Sequence, residues 1–138
     1  ALREMAECVD TSFVLDTLQY MWKGGRCSGV TALGANLLKL KPCLQMQEGK
    51  LVVGKKYRGP IDKVYRQYVA ERFEGKDVLP EHVFITHSGG VAQETLDALM
   101  QQVQQTVPGC EVFITQAGCT VSSHCGPGTL GVLFLHRA

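Results

Sequence analysis

Apolar residues recur along this chain with two different periods, and the switches between them mark out the elements. Residues 2–8 read as the end of a polar helix, and 9–14 as a short β run broken by Asp10. Leu15, Leu18 and Trp22 fall three and four apart, which predicts a helix over 16–22 closed by Gly24 and Gly25. Val30, Leu33, Leu37 and Leu38 form the stripe of a second helix over 29–38, with Ser28 placed to cap it. Strands are predicted at 42–46 and 50–58, and Glu48-Gly49 turns the pair into a hairpin. Gly59-Pro60 opens the next helix, with Pro60 at its first position. Ile61, Val64, Tyr65, Tyr68 and Phe73 give that helix a buried face, and Gly75 ends it. A strand over 81–86 leads through His87-Ser88-Gly89-Gly90 into a helix over 91–107, which Pro108-Gly109 stops. Strands over 110–115, 119–123 and 130–136 complete the pattern. Strands mixed with helices, some joined by hairpins, predict an α/β (α+β) fold. It is a two-layer mixed sheet of about six strands, with helices packed on one face.

Composition narrows the partners. At 138 residues the default is a single domain over 1–138. The formal net charge of +1, from 14 basic and 13 acidic residues, argues against nucleic acid or a membrane surface as the partner. No apolar run approaches the roughly 18 residues of a transmembrane segment. The first residues are polar and helix-like, unlike a signal peptide. Because the chain begins at Ala1, it is expected to be a processed product or a piece of a longer chain. The six cysteines, at 8, 27, 43, 110, 119 and 125, include no Cys-x-x-Cys and read as reduced thiols of a cytoplasmic protein.

Two stretches carry candidate chemistry. In Ser122-Ser123-His124-Cys125-Gly126-Pro127-Gly128, two glycines flank a proline in a tight feature expected between strands. Gly126 and Gly128 let a ligand approach the backbone, and Ser122, Ser123 and His124 stand at the entrance. In Gly24-Gly25-Arg26-Cys27-Ser28, a glycine turn feeds a helix N-terminus, a place attractive to anions. Arg26 adds a planar fork that matches carboxylate or phosphate oxygens. The two stretches together predict that Arg26 and His124 face one anionic head group, with Gly24, Gly25, Ser28, Ser123 and Gly126 in support. His87-Ser88-Gly89-Gly90 lacks the length and lysine of a P-loop and reads as structural. Cys119, His124, Cys125, His87 and His136 match no zinc spacing, so no metal is expected. Cys27 or Cys125 paired with a histidine lacks an evident third orienting group. Lys50, Lys55, Lys56 and Arg58 read as the wet face of the hairpin.

The same stretches resemble the C-terminal lobe of the DegV family, the bacterial fatty-acid-binding proteins. Leu18-Gln19-Tyr20-Met21-Trp22-Lys23-Gly24-Gly25-Arg26 resembles the family's "L..L.kGGR", and Leu37-Leu38-Lys39-Leu40-Lys41-Pro42 its "LL.iKP". Glu48-Gly49-Lys50 resembles its "dGk" turn, and His124-Cys125-Gly126-Pro127-Gly128-Thr129-Leu130-Gly131 its closing "H.GPG.lg". The resemblance implies a lobe that helps hold a long-chain fatty acid or acyl phosphate. It implies no cofactor, and Arg26 and His124 near the carboxylate. The lobe would be a lipid-binding subunit, not an enzyme, that presents its ligand to a fatty acid kinase. The other partner implied is the family's N-terminal lobe, absent from this chain, so an apolar face would be left that associates with that lobe or with a second copy. The alternatives are a small cytosolic enzyme using Cys/His chemistry and a ligand-free interaction domain.

Overall fold

The computed structural model describes residues 1–23 and 39–137. Their elements are α1 (Leu2–Glu7), β1 (Val9–Val14), α2 (Gln19–Lys23), β2 (Lys41–Gln47), β3 (Lys50–Tyr57), α3 (Ile61–Phe73), β4 (Val78–His87), α4 (Gln93–Thr106), β5 (Val112–Gln116), α5 (Cys119–Cys125) and β6 (Leu130–His136). The expected helix over 29–38, its cap Ser28 and the Gly24-Gly25 turn lie outside the described residues. No helix among the described residues is long and apolar enough to cross a membrane.

The strands form one mixed sheet in the order β3-β2-β1-β6-β4-β5. β1 runs antiparallel to β2 and β6, β6 antiparallel to β4, and β4 parallel to β5, with α4 as the crossover between them. Glu48 and Gly49 both take positive φ, 50° and 74°, which matches the twist of the β2–β3 hairpin.

One face of the sheet carries the main core. Val14, Val83, Ile85, Leu130, Val132 and Phe134 point from the strands toward Tyr65, Tyr68, Val69 and Phe73 of α3 and Leu96, Leu99 and Val103 of α4. Each such side chain, removed from water, contributes about 1.5–3 kcal/mol. The Tyr68 hydroxyl is satisfied inside this core by Ser12 Oγ at 2.7 Å and by the Val132 amide, which donates to it at 3.1 Å. On the opposite face, Phe13 of β1 lies beside Leu44 of β2 in register. Both join a smaller cluster with Leu15, Leu18, Met21 and Cys125, where α2 and α5 pack on each other. Farther along that face His82, Phe84 and Phe113 stack, with the two phenyl centroids 5.3 Å apart.

The sequence reading needs correction at four places. The expected strand over 119–123 is helix α5, so the Gly-Pro-Gly loop joins a helix to a strand. Burial of Cys125 in the small cluster overrides the β-like run Cys119-Thr120-Val121. Ser122 Oγ donates back to Ala117 O at 3.3 Å and Ser123 Oγ to Cys119 O at 2.7 Å, holding the turns. The helix expected over 16–22 begins only at Gln19, because Thr17 Oγ1 takes the Gln19 amide at 3.2 Å in a capping turn. Pro60 stands just before the first residue of α3, with its φ of −58° already suited to entry. The helix expected over 91–107 is α4, Gln93–Thr106, one to two residues shorter at each end.

Candidate functional site

The Gly-Pro-Gly loop is built by its neighbours. Gly126 ends α5 at φ 78°, ψ 174°, a region essentially reserved for glycine. Its amide donates to Ser122 O at 2.9 Å, and a Cβ there would overlap the Tyr20 ring of α2. Ser88 Oγ, just after β4, donates to Gly126 O at 2.5 Å and accepts the Thr129 amide at 3.2 Å. The Thr129 hydroxyl lies 3.1 Å from both the Cys125 and Gly126 carbonyls. The Gly128 amide donates to Gly89 O at 2.9 Å, and the Tyr65 hydroxyl donates to Gly128 O at 2.5 Å. Burial, helped by the carboxylates of Asp16 and Asp62, pushes the Tyr65 phenol up, so it stays a donor. Asp16 packs against Gly128, where a Cβ would come within 2.9 Å of the Asp16 Cβ. Lys41 holds Asp16 in turn, donating to its carbonyl at 2.9 Å and to Oδ1 at 2.5 Å. Five chain segments thus fix one loop.

Beside this loop, on the face that α3 and α4 leave uncovered, lies a cavity of about 290 Å³. Its floor is Thr11 and Phe13 of β1, Gly131 and Leu133 of β6 and Thr86 of β4. Its other wall is Ala117, Gly118 and Val121 at the start of α5, with His87 and Ser88 at one end. Gly131 sets the depth of the floor: a Cβ there would meet Ser12 O at 2.9 Å and Phe13 Cβ at 3.2 Å. Val121 leaves 52% of its surface exposed, an apolar rim.

The expected site residues divide. Arg26, Gly24, Gly25 and Ser28 lie outside the described residues. His124 sits half-buried in the last turn of α5, one turn beyond Val121, and is not part of the cavity wall. Ser123 is exposed, with its hydroxyl turned onto its own helix, and Gly126 is the backbone contact of Tyr20. Cys125 is buried, and burial pushes its thiol up, the opposite of what a nucleophile needs. Among the described residues no three His, Cys, Asp or Glu side chains gather to hold a metal. The sequence reading passed over the cavity floor and gave Ser88 no role in the loop. A usable signal was present: Leu130-Gly131-Val132-Leu133-Phe134-Leu135 is apolar at both parities, as in a strand covered on both faces.

This is an α+β fold, a six-stranded mixed sheet whose second face carries a mostly apolar cavity. The family described as "Uncharacterised protein, DegV family" matches residues 1–137, and the chain belongs to that family. A DegV domain-containing protein of Streptomyces coelicolor is 29% identical over 99% of this chain and 48% of its own length. The structure titled "Fatty Acid Binding of a DegV family Protein from Thermus thermophilus" matches with a TM-score of 0.77 at 27% identity, covering 99% of this chain and 48% of that one. The Streptococcus pneumoniae Fatty Acid Kinase (Fak) B3 protein loaded with linoleic acid shares the fold, with a TM-score of 0.81 at 18% identity over 99% of this chain and 47% of that one. The chain spans about half the length of these relatives.

Proposed function

We propose that this chain is the lipid-holding lobe of a two-lobed, cytoplasmic fatty-acid carrier that presents the ligand's carboxylate to a fatty acid kinase, where the catalysis takes place. The observation that carries the reading is the apolar cavity beside the Gly-Pro-Gly loop, on the sheet face that the two long helices leave open. A chain of about fourteen methylenes gains at most about 11 kcal/mol on full burial, at about 0.8 kcal/mol per CH₂. Association offsets much of that, so both walls of a tunnel matter. The second wall is the family's other lobe, for which a second copy of this chain is the substitute. The buried carboxylate needs cationic and hydrogen-bonding partners, and Arg26 with His124 supply them. The fatty-acid binding named for the T. thermophilus relative and the kinase named for the S. pneumoniae one support the reading.

The test uses the intact polypeptide. Organic extraction of natively purified protein should release a long-chain fatty acid, identified by mass spectrometry. Arg26→Ala and His124→Ala should each lower kinase-dependent phosphorylation at least ten-fold while the melting temperature holds. Unchanged turnover in both variants overturns the head-group assignment.

A further inference from the structure

Five hydroxyl-bearing residues line the cavity: Thr11, Ser12, Thr86, Ser88 and Thr129. Ser12 Oγ is turned to the core face and meets the Tyr68 hydroxyl at 2.7 Å. Thr86 Oγ1 pairs with Thr115 Oγ1 at 2.7 Å. Ser88 Oγ donates to Gly126 O, and Thr129 Oγ1 lies 3.1 Å from the Cys125 and Gly126 carbonyls. Thr11 differs: among the described residues nothing partners its hydroxyl. Strand alternation fixes where its side chain points. Ser12 and Val14 face the main core, so Thr11 and Phe13 face the cavity. On β6, Val132 and Phe134 are core residues, and Leu133 stands opposite Thr11 in register. Thr11 thus sets one polar group beside Phe13 and Leu133. Its row lies two residues, about 7 Å, along the strands from the Phe13–Gly131 row next to the Gly-Pro-Gly loop.

We propose that Thr11 is a specificity-determining residue, through which the cavity favours an acyl chain that carries a hydroxyl part-way along its length. The inference deepens the lipid-holding reading above and rests on it. Thr11 is half-buried, so water serves its hydroxyl while the face is open. A lipid laid over the floor displaces that water, and a plain alkyl chain offers nothing in return. A hydroxyl left buried and unpaired opposes binding, whereas a lipid hydroxyl at the same depth can both donate to Thr11 and accept from it. A site with a polar group to satisfy discriminates against a ligand lacking the partner more strongly than an apolar pocket discriminates between methylenes. Because the Thr11 row is set back from the loop, the preference is positional: a hydroxyl too near the carboxylate or too near the tail misses it.

The test compares stearate with a positional series of monohydroxystearates on the intact polypeptide, each measured by displacement of a fluorescent fatty acid. One isomer should bind about ten-fold tighter than the others, which desolvate the same hydroxyl without pairing it. Thr11→Val keeps the branched shape and removes the oxygen. It should tighten stearate and erase the preference among isomers, at an unchanged melting temperature. Thr11→Ser keeps the oxygen and should retain the preference. Stearate binding with no favoured isomer, or a preference that survives Thr11→Val, overturns the role of Thr11 and leaves the lipid-holding reading standing. Failure of stearate and of every isomer to bind the wild-type protein overturns both.

Discussion

The hydroxyl of Tyr65, on a helix of the covering layer, donates to the carbonyl of Gly128, 63 positions later, at 2.5 Å. This bond carries the position of the helix layer into the loop that borders the cavity. Tyr65→Phe leaves a buried carbonyl without its donor, and about 1–3 kcal/mol of stability should be lost. Tyr68 serves two partners, Ser12 Oγ and the Val132 amide, so Tyr68→Phe should cost more than Tyr65→Phe. Urea unfolding of both variants decides the order, and equal midpoints would contradict it.

Gly126 and Gly109 both take positive φ, 78° and 75°, but a Cβ at 126 overlaps Tyr20 while a Cβ at 109 meets nothing within 4 Å. Gly109→Ala should therefore show backbone strain alone, about 1 kcal/mol. Gly126→Ala should exceed about 2 kcal/mol and also displace Tyr20. Thermal melts paired with tyrosine fluorescence test the contrast; matching losses at the two sites would rule out the Tyr20 contact.

Burial alone would push the Asp10 carboxyl up, but hydrogen bonds from Lys76 and Arg72 outweigh it and hold it below its ordinary value of 3.8. Folding thus favours the ionised form. The stability it supplies is complete above pH 3.8 and is lost as pH falls through the lower folded value. The stability gap between wild type and Asp10→Asn should be constant near neutrality and shrink below pH 3.8. Denaturant titrations at a series of pH values measure it, and a gap that stays flat into strong acid refutes the pairing.

Burial pushes the Cys43 thiol up to about 11 and raises Cys125 as well, whereas Cys119 is exposed. Iodoacetamide at neutral pH should label Cys119 well before Cys43 or Cys125 in the native protein, with the buried pair reacting only on unfolding. Peptide mapping by mass spectrometry follows the order. Labelling of Cys125 as fast as Cys119 would reopen thiol chemistry at this loop.

The long elements were legible because their patterns were strong. The stripe Leu96, Leu99, Val103 carried α4, and Glu48-Gly49 carried the hairpin. α5 was not legible: Cys119-Thr120-Val121 has β-like local preferences, and its helix depends on Cys125 meeting Leu15, Leu18 and Met21 from far up the chain. The Gly-Pro-Gly loop was visible as a motif, but not its clamps, since hydroxyls on Tyr65, Ser88 and Thr129 leave no periodic trace. The cavity was hidden for a related reason. Its floor alternates with core residues on the same strands, and only the sheet order brings Phe13 beside Gly131.

The central pairing, Val9 opposite Leu135 through Val14 opposite Leu130, has a consequence for biosynthesis. As the polypeptide emerges from the ribosome, β1 must wait with one edge unfilled until β6 has been made. Closing that gap spans the whole intervening segment, a slow, high-contact-order step. The apolar floor is therefore assembled only after β6 clears the exit tunnel. Prematurely terminated products that stop before β6 would display a bare strand and should be quality-control substrates.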